Sequence, residues 1–286
     1  MAARPRTLPA AVAPVLVGTA LAGFDHVFHP LRFLAALLGA VFIQVGTNLS
    51  NDYSDARRGA DTEDRLGPVR VTAGGLVPPR QVLVATYVSF GLAVLAGIYL
   101  IVVAGWQLLL VGAASILAGV AYTGGPKPYG YDGLGEVFVF LFFGIVAVAG
   151  SFFVQVRHLS WEAFALAVPV GLLAAAILVV NNFRDIDTDG RAGKRTLAVR
   201  LGRERTRMVF AAIVYGAYLL APLTWLFGPL KPWLLLPWLT LPAAAPLVRL
   251  VRNRTDGPSL NQALAQTGML QLAFCVLLSA GLLLSR

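Results

Sequence analysis

Long apolar stretches alternate with short polar segments along the whole chain. A helix needs about 20 apolar residues to cross the hydrocarbon core of a bilayer. The stretches are rich in Leu, Ala, Gly and Val, and they lack the two-residue alternation of a membrane β-barrel. We therefore predict an all-α integral membrane protein with nine transmembrane helices, at 8–28, 32–50, 82–104, 106–123, 134–155, 161–182, 208–227, 231–250 and 265–284.

The composition supports this class. Charged residues make up 13% of the chain and hydrophobic residues 57%, whereas a soluble domain has about 25% charged residues. The first stretch follows Arg4 and Arg6 but contains Pro9 and Pro14, so we expect a retained helix and not a cleaved signal peptide. No linker or soluble segment interrupts the pattern, which predicts one domain over residues 1–286.

The positive charge follows the membrane topology. A net charge of +9 raises the question of nucleic acid binding. If the N-terminus is cytoplasmic, however, 19 of the 23 lysines and arginines fall on the cytoplasmic side, as the positive-inside rule predicts. We expect a multi-pass protein of the cell (inner) membrane, in contact with the lipid bilayer, with its N-terminus and functional loops in the cytoplasm and no nucleic acid partner.

Two short acidic motifs stand out, because the chain has only 14 acidic residues. Asn48-x-x-x-Asp52 is followed by Asp55, and Asn181-x-x-x-Asp185 is followed by Asp189. On a helix, the members of each motif share one face. The motifs follow the second and the sixth apolar stretch and start 133 residues apart, which suggests an internal repeat around a central site.

Carboxylates at a membrane edge repel one another unless a cation lies between them. Mg²⁺ binds through one or two carboxylates plus substrate phosphates, so a diphosphate substrate with two Mg²⁺ ions fits the pattern. The alternative is that Asp and Asn near helix ends act only as caps. The predicted metal ligands are Asp52, Asp55, Asp61, Asp185 and Asp189, with Asn48 and Asn181.

A third segment, 122–136, contains five glycines, two prolines and three tyrosines. Tyr122 and Tyr129 provide aromatic faces that stabilise a carbocation, although an interfacial aromatic belt also explains tyrosines. Arg and Lys hold phosphate oxygens, which makes four basic residues candidates for the diphosphate: Arg70, Lys127, Lys194 and Arg195.

Recognition of an acceptor is the least determined part of the pattern. Gln44 lies one turn before Asn48 on the same face, where it either contacts an acceptor or bonds between helices. Arg6 either holds an acceptor carboxylate or anchors the chain at the membrane.

With these motifs the chain resembles the UbiA-type membrane prenyltransferases, which carry two Asp-rich motifs after the second and sixth of nine helices. Within this family it is similar to the members that use 1,4-dihydroxy-2-naphthoate. The similarity covers effectively the whole chain, and the segments that carry it are 4–9, 48–55, 59–65, 67–70, 122–131 and 192–202. The spacing departs from the family pattern, because Asp55 follows Asp52 by three residues and position 56 is alanine, so either Asp55 or Asp61 holds the second metal.

The resemblance implies a bundle around a cavity that opens to the cytoplasm. It implies Mg²⁺, a polyprenyl diphosphate donor, and an aromatic acceptor that loses its carboxylate, 1,4-dihydroxy-2-naphthoate giving demethylmenaquinol. Transfer to 4-hydroxybenzoate, homogentisate or haem, or phytyl transfer to a carboxynaphthoquinone, stays open. A transporter that uses the same carboxylates is the alternative from a different class, but such sites usually lie near the middle of the membrane.

Overall fold

The computed structural model describes residues 4–59, 66–67, 70–226 and 231–286. These residues form helices and no strand, so the predicted all-α class is confirmed. Nine long helices follow one another: α1 (Pro9–Phe24), α2 (Pro30–Arg57), α3 (Pro79–Ala104), α4 (Gln107–Ala121), α5 (Gly135–Val156), α6 (Trp161–Arg184), α7 (Leu197–Leu220), α8 (Pro232–Asn253) and α9 (Gly257–Leu284).

Shorter elements join them. Two 3₁₀ turns lie at Pro5–Thr7 and Tyr129–Asp132, and two short α-helices lie at Ile186–Arg191 and Leu223–Leu226. Helix α5 contains a π-helical segment at Phe140–Val146, and α8 begins as a 3₁₀ helix over Pro232–Thr240.

The membrane assignment is supported by helix length. Within the described ranges, seven helices are long and apolar enough to cross a bilayer, whereas α1 and α4 are shorter apolar helices. Each of the nine predicted stretches corresponds to one of the nine long helices. The chain is a multi-pass membrane protein. Because α1 and α4 are shorter, the prediction that these two helices also span the membrane rests on their composition.

Three helix boundaries differ from the prediction, each where polar residues continue a helix beyond its apolar part. Helix α2 runs to Arg57, so the first acidic motif lies in its last turns. Helix α7 starts at Leu197, capped by the Thr196 hydroxyl, and bends at Gly202, whose φ is 75°. Helix α9 starts at Gly257, where the carboxylate of Asp256 accepts the Ser259 amide at 2.9 Å.

Helix α6 is the central element and packs against α1, α5, α7 and α9. Small residues allow the helix backbones to approach closely, as is usual in membranes. A Cβ atom added at Gly18 of α1 would lie 2.2 Å from the Val148 carbonyl oxygen of α5, and one at Gly144 would lie 2.6 Å from the Gly171 Cα of α6. Helices α2, α3 and α4 pack on one another as a second group. A cavity lies between the two groups.

Candidate active site

The cavity has a volume of about 350 Å³ and a polar end where α2, α4 and α6 terminate. The last turns of α2 and α6 carry the two acidic motifs, and the segment after α4 carries the tyrosines. The structure therefore brings together residues that are far apart in the sequence. Ten of the predicted site residues line this one cavity: Gln44, Asn48, Asp55, Arg70, Tyr122, Tyr129, Asn181, Asp185, Asp189 and Lys194.

Asp55 is the most highly connected carboxylate of the first motif, and its side chain is 2% exposed. The Tyr131 hydroxyl donates to its Oδ1 at 2.7 Å, and Arg70 Nη2 donates to its Oδ2 at 3.2 Å. Lys194 Nζ lies 3.5 Å from the same Oδ2. A buried carboxylate is tolerated only if it is paired and hydrogen-bonded, and Asp55 meets both conditions.

Lys194 joins the two motifs. Its Nζ lies 3.5 Å from Asp55 and 3.8 Å from Asp189, and 4.7 Å from the centre of the Tyr131 ring, a cation–π distance. Carboxylates from both motifs thus converge on one positive charge.

The second motif is organised by a buried arginine, Arg184. Its guanidinium forms a fork with Asp185, with Nε at 2.8 Å from Oδ1 and Nη2 at 2.6 Å from Oδ2. The same side chain donates to Oδ1 of Asn181 at 3.0 Å and to Oδ1 of Asn261 on α9 at 2.8 Å. In turn, the Asn261 amide donates to the Leu66 carbonyl at 2.9 Å. Helix α6 ends at Arg184. The Asp189 amide nevertheless donates to the Asp185 carbonyl at 2.8 Å, so helical hydrogen bonding continues between the two aspartates of the motif.

The Asp52 carboxylate contacts the loop that follows the first motif. It does not line the cavity. Its Oδ1 accepts the Thr72 amide at 2.9 Å and its Oδ2 accepts the Val71 amide at 3.2 Å. Each oxygen therefore accepts one amide of the loop that follows the first motif, and the role of Asp52 as a metal ligand stays a prediction. The neighbouring Asn51 lines the cavity instead, and its Oδ1 accepts the Thr123 hydroxyl at 2.9 Å.

An aromatic wall lies beside the carboxylates. Tyr129 stacks on Phe138 with ring centres 3.9 Å apart and meets the edge of Tyr122 at 5.5 Å. Burial, with smaller contributions from Glu136 and other nearby groups, raises the pKa of Tyr122 well above its usual value, and burial also raises the pKa of Tyr129. Both phenols therefore stay neutral at physiological pH, and a neutral phenol is a poor nucleophile.

The N-terminal 3₁₀ turn covers another part of the cavity. The Thr7 hydroxyl accepts the side-chain amides of Gln44 at 3.1 Å and Asn48 at 3.2 Å, and it donates to the Arg4 carbonyl at 3.0 Å. These bonds hold Arg4 in the lining of the cavity. Arg6 was the predicted residue here, and its side chain lies outside the described part of the structure.

Three further predictions differ from the structure or fall outside it. Lys127 is exposed and is not among the residues that line the cavity. The Arg195 side chain is also exposed; only its backbone takes part, as its amide donates to the Tyr131 carbonyl at 2.7 Å. Asp61 lies outside the described residues.

Several residues that line or organise the site were missed by the sequence analysis, namely Arg4, Thr7, Tyr131 and Arg184. Arg184 had a usable signal, since a basic residue three positions after Asn181 at the end of an apolar helix needs a buried partner. Tyr131 lies in the tyrosine-rich segment but was not selected from it, and Arg4 and Thr7 had no signal, because only the folded chain brings Tyr131 to Asp55 and Thr7 to α2.

The oxygen donors of the site suit a hard divalent cation such as Mg²⁺. Asp55, Asp185 and Asp189 line the cavity. Two of them, Asp55 and Asp189, already lie close to the positive charge of Lys194. Within the described residues, no three His, Cys, Asp or Glu side chains form a ready-made metal site. The donor set therefore fits a metal that brings phosphate ligands with it better than a metal held by protein alone.

Comparison with known proteins gives a consistent assignment. A model of the UbiA prenyltransferase family matches residues 11–283. The chain is 43% identical to a 1,4-dihydroxy-2-naphthoate octaprenyltransferase of Mycobacterium tuberculosis, over 98% of this chain and 94% of that protein. The protein of the same name from Escherichia coli is 41% identical, over 87% and 82%. A solved UbiA homolog from Archaeoglobus fulgidus, bound to DMAPP and Mg²⁺, superimposes with a TM-score of 0.68 at 14% identity, covering 98% of this chain and 99% of that one.

The buried Arg184 fork gives a testable prediction about stability. We expect Arg184→Leu to lower the free energy of unfolding by about 3–5 kcal/mol, because it leaves the Asp185 carboxylate buried without its partner. Arg203 is the matched control, since it pairs with Asp187 at the surface, with side chains 31% and 66% exposed. Arg203→Leu should cost at most about 1 kcal/mol. Thermal unfolding in one detergent compares the two, and equal losses would contradict a structural role for the fork.

Proposed function

The chain belongs to the UbiA prenyltransferase family, and we propose that it transfers a polyprenyl group from a polyprenyl diphosphate to 1,4-dihydroxy-2-naphthoate. The product is demethylmenaquinol, which makes the protein an enzyme of menaquinone biosynthesis. The observation that carries this proposal is the single cavity in which carboxylates of both motifs, basic side chains and an aromatic wall meet. We place this polar end on the cytoplasmic side of the inner membrane, because the basic loops lie there.

The diphosphate lies at the polar end. Asp55, Asp185 and Asp189 would hold Mg²⁺, two ions in our proposal, with the side-chain amide oxygens of Asn48 and Asn181 as further ligands. Mg²⁺ bound there would neutralise the charge that develops on the leaving diphosphate. Arg70 and Lys194 are buried beside the carboxylates, and they exchange part of their contacts with Asp55 for contacts with phosphate oxygens.

The reaction separates charge and then recombines it at a carbon atom. The allylic C–O bond breaks, and its electron pair leaves with the diphosphate. The allylic cation faces Tyr122 and Tyr129, whose neutral rings stabilise it without capturing it. The acceptor ring supplies the electron pair of the new C–C bond. The pair from the bond to the carboxylate returns to the ring as CO₂ leaves, which restores aromaticity.

The experiment that tests this function uses purified protein, Mg²⁺ and octaprenyl diphosphate with a panel of acceptors. We expect a prenylated, decarboxylated product from 1,4-dihydroxy-2-naphthoate and little product from 4-hydroxybenzoate or homogentisate, as detected by mass spectrometry. Chelation of the metal should stop the reaction. Asp55→Asn should lower kcat by about a hundredfold or more, because it removes a carboxylate that faces the developing charge. Product from another acceptor alone would refute the assignment.

The prenyl tail occupies the apolar part of the cavity. This part is lined by small residues, and a Cβ atom added at Gly97 of α3 or Gly112 of α4 would meet no other atom within 4 Å. The lining face of α2 runs from Ala36 to Asp55, which corresponds to about 28 Å along the helix axis. A cavity of that length holds a long chain.

We expect Gly112→Phe to fill this space and to lower kcat/KM for octaprenyl diphosphate by about tenfold or more, with little change for geranyl diphosphate. Gly91 is the matched control, because a Cβ there also meets nothing within 4 Å but the residue lies on the exposed outer face of α3. Gly91→Phe should leave both donors unaffected. If Gly112→Phe also keeps full activity with the long donor, the tail leaves the cavity before it reaches α4.

The acceptor enters on the side of Gln44 and the N-terminal turn. We assign its carboxylate to Arg4, which the bonds of Thr7 hold in the cavity lining. A tight grip on a group that leaves would favour the ground state over the transition state, so the effect on kcat should be small.

Arg4→Gln should therefore raise the KM for the acceptor several-fold and leave the KM for the donor unchanged. Arg6→Gln serves as the comparison, because Arg6 was the residue predicted from the sequence. Steady-state kinetics with each substrate varied in turn separates the two. An effect of Arg6→Gln alone on acceptor KM would restore the sequence-based assignment.

A further inference from the structure

Glu136 is a buried acidic residue that the mechanism above does not use. It lies in the first turn of α5 and is 6% exposed. Its Oε1 accepts the side-chain amide of Asn182 at 2.9 Å, whereas its Oε2 is buried and has no hydrogen-bond partner among the described residues. The helix dipole favours an acidic residue in a first turn, but it requires neither burial nor a bond to another helix. An acidic residue inside a membrane protein is costly, and together with its partner it usually marks a functional site.

The partner, Asn182, lies near the end of α6 and lines the cavity. Its side-chain nitrogen is occupied by Glu136. Within the described part of the chain its amide oxygen accepts no hydrogen bond, and that oxygen is not sealed inside the protein. The oxygen is therefore the polar atom that Asn182 offers to a ligand in the cavity. A bond that pulls on the N–H of an amide also makes its oxygen a better acceptor.

The first turn of α5 lies beside the aromatic wall. A Cβ atom added at Gly135 would lie 3.1 Å from Cε2 of Tyr122 and 3.0 Å from Cδ2 of Leu178 on α6. The pair of Glu136 and Asn182 is therefore next to the wall that faces the allylic cation in the proposed reaction. The acceptor ring has to reach the same cation, so its hydroxyl groups come close to this pair.

We propose that the Asn182 amide oxygen accepts a hydrogen bond from the acceptor hydroxyl next to the carboxylate, and that Glu136 is the positioning residue that keeps this oxygen directed into the cavity. The inference rests on the function proposed above and adds to it a group that selects phenolic acceptors. As the ring gives its electron pair to the cation, positive charge develops on the oxygen of this hydroxyl, and its O–H becomes a stronger donor. The hydrogen bond is then stronger in the transition state than in the ground state, which lowers the barrier.

An acceptor analogue with this hydroxyl methylated tests the contact in the full-length protein. The methoxy group still activates the ring but cannot donate a hydrogen bond. Wild-type protein should prefer the hydroxyl acceptor in kcat/KM by about ten- to a hundredfold. Asn182→Ala should lose a similar factor with the hydroxyl acceptor and little with the methoxy acceptor, so the preference nearly disappears. Asn51→Ala is the matched control, because Asn51 also lines the cavity but its oxygen already accepts the Thr123 hydroxyl at 2.9 Å. It should keep the full preference.

Two substitutions of Glu136 test the positioning role. Glu136→Leu removes the partner of the Asn182 amide, so the preference for the hydroxyl acceptor should fall towards that of Asn182→Ala. Glu136→Gln keeps a side-chain oxygen that accepts the same bond, so it should keep most of the preference. The double variant Glu136→Leu with Asn182→Ala should be no worse than Asn182→Ala alone. Full preference in Glu136→Leu, or equal loss in Glu136→Gln and Glu136→Leu, would overturn this role.

The kinetics of the donor separate this proposal from its competitors. In Asn182→Ala the donor KM and the Mg²⁺ concentration at half-maximal rate should stay at the wild-type values. A rise in either, with the acceptor preference unchanged, would assign Asn182 to the diphosphate and its metal and would sink the proposal. Equal losses with both acceptors would do the same. If wild-type protein makes no prenylated product from any acceptor, it is instead the proposed function that fails.

Discussion

The structure depends on the compensation of buried carboxylates inside a membrane protein. Asp55 and Asp185 are almost completely buried, where an unpaired charge would be very costly. Each is paired with basic side chains, Asp55 with Arg70 and Lys194, and Asp185 with Arg184. These pairs connect the ends of α2 and α6 with the loops that follow them, so the polar end of the bundle is held together by charge as well as by packing.

The two acidic motifs are alike in sequence but not in their contacts. In each, one carboxylate is used within the protein: Asp52 by loop amides, and Asp185 by the Arg184 fork. In each, a later carboxylate approaches Lys194, Asp55 from one side and Asp189 from the other. A repeated pattern thus gives a site with unequal halves, in which the supporting contacts come from different parts of the chain.

The packing of the helices explains why a cavity exists beside these charges. Small residues let α1, α5 and α6 approach closely, which makes one group dense. Helices α2, α3 and α4 form the other group, and glycines such as Gly97 and Gly112 face the space between the groups without a packing partner. Glycine in a helix interior costs about 0.5–1 kcal/mol of stability relative to alanine. A ligand-binding role explains why glycines nevertheless occupy these positions beside open space.

The sequence by itself determined the all-α membrane class, the apolar helices and ten of the residues that line the cavity, because hydrophobic length and helical periodicity are local properties of the chain. It also identified both acidic motifs and the tyrosine-rich segment, since few carboxylates occur in such a chain. The tertiary structure decided the partners. It paired Asp52 with backbone amides of the following loop, left Lys127 exposed, and brought Tyr131, Arg184 and Arg4 to the site. Spacing along a helix tells which residues share a face, but not which loop or helix that face meets, because contacts between distant segments depend on how the whole bundle packs.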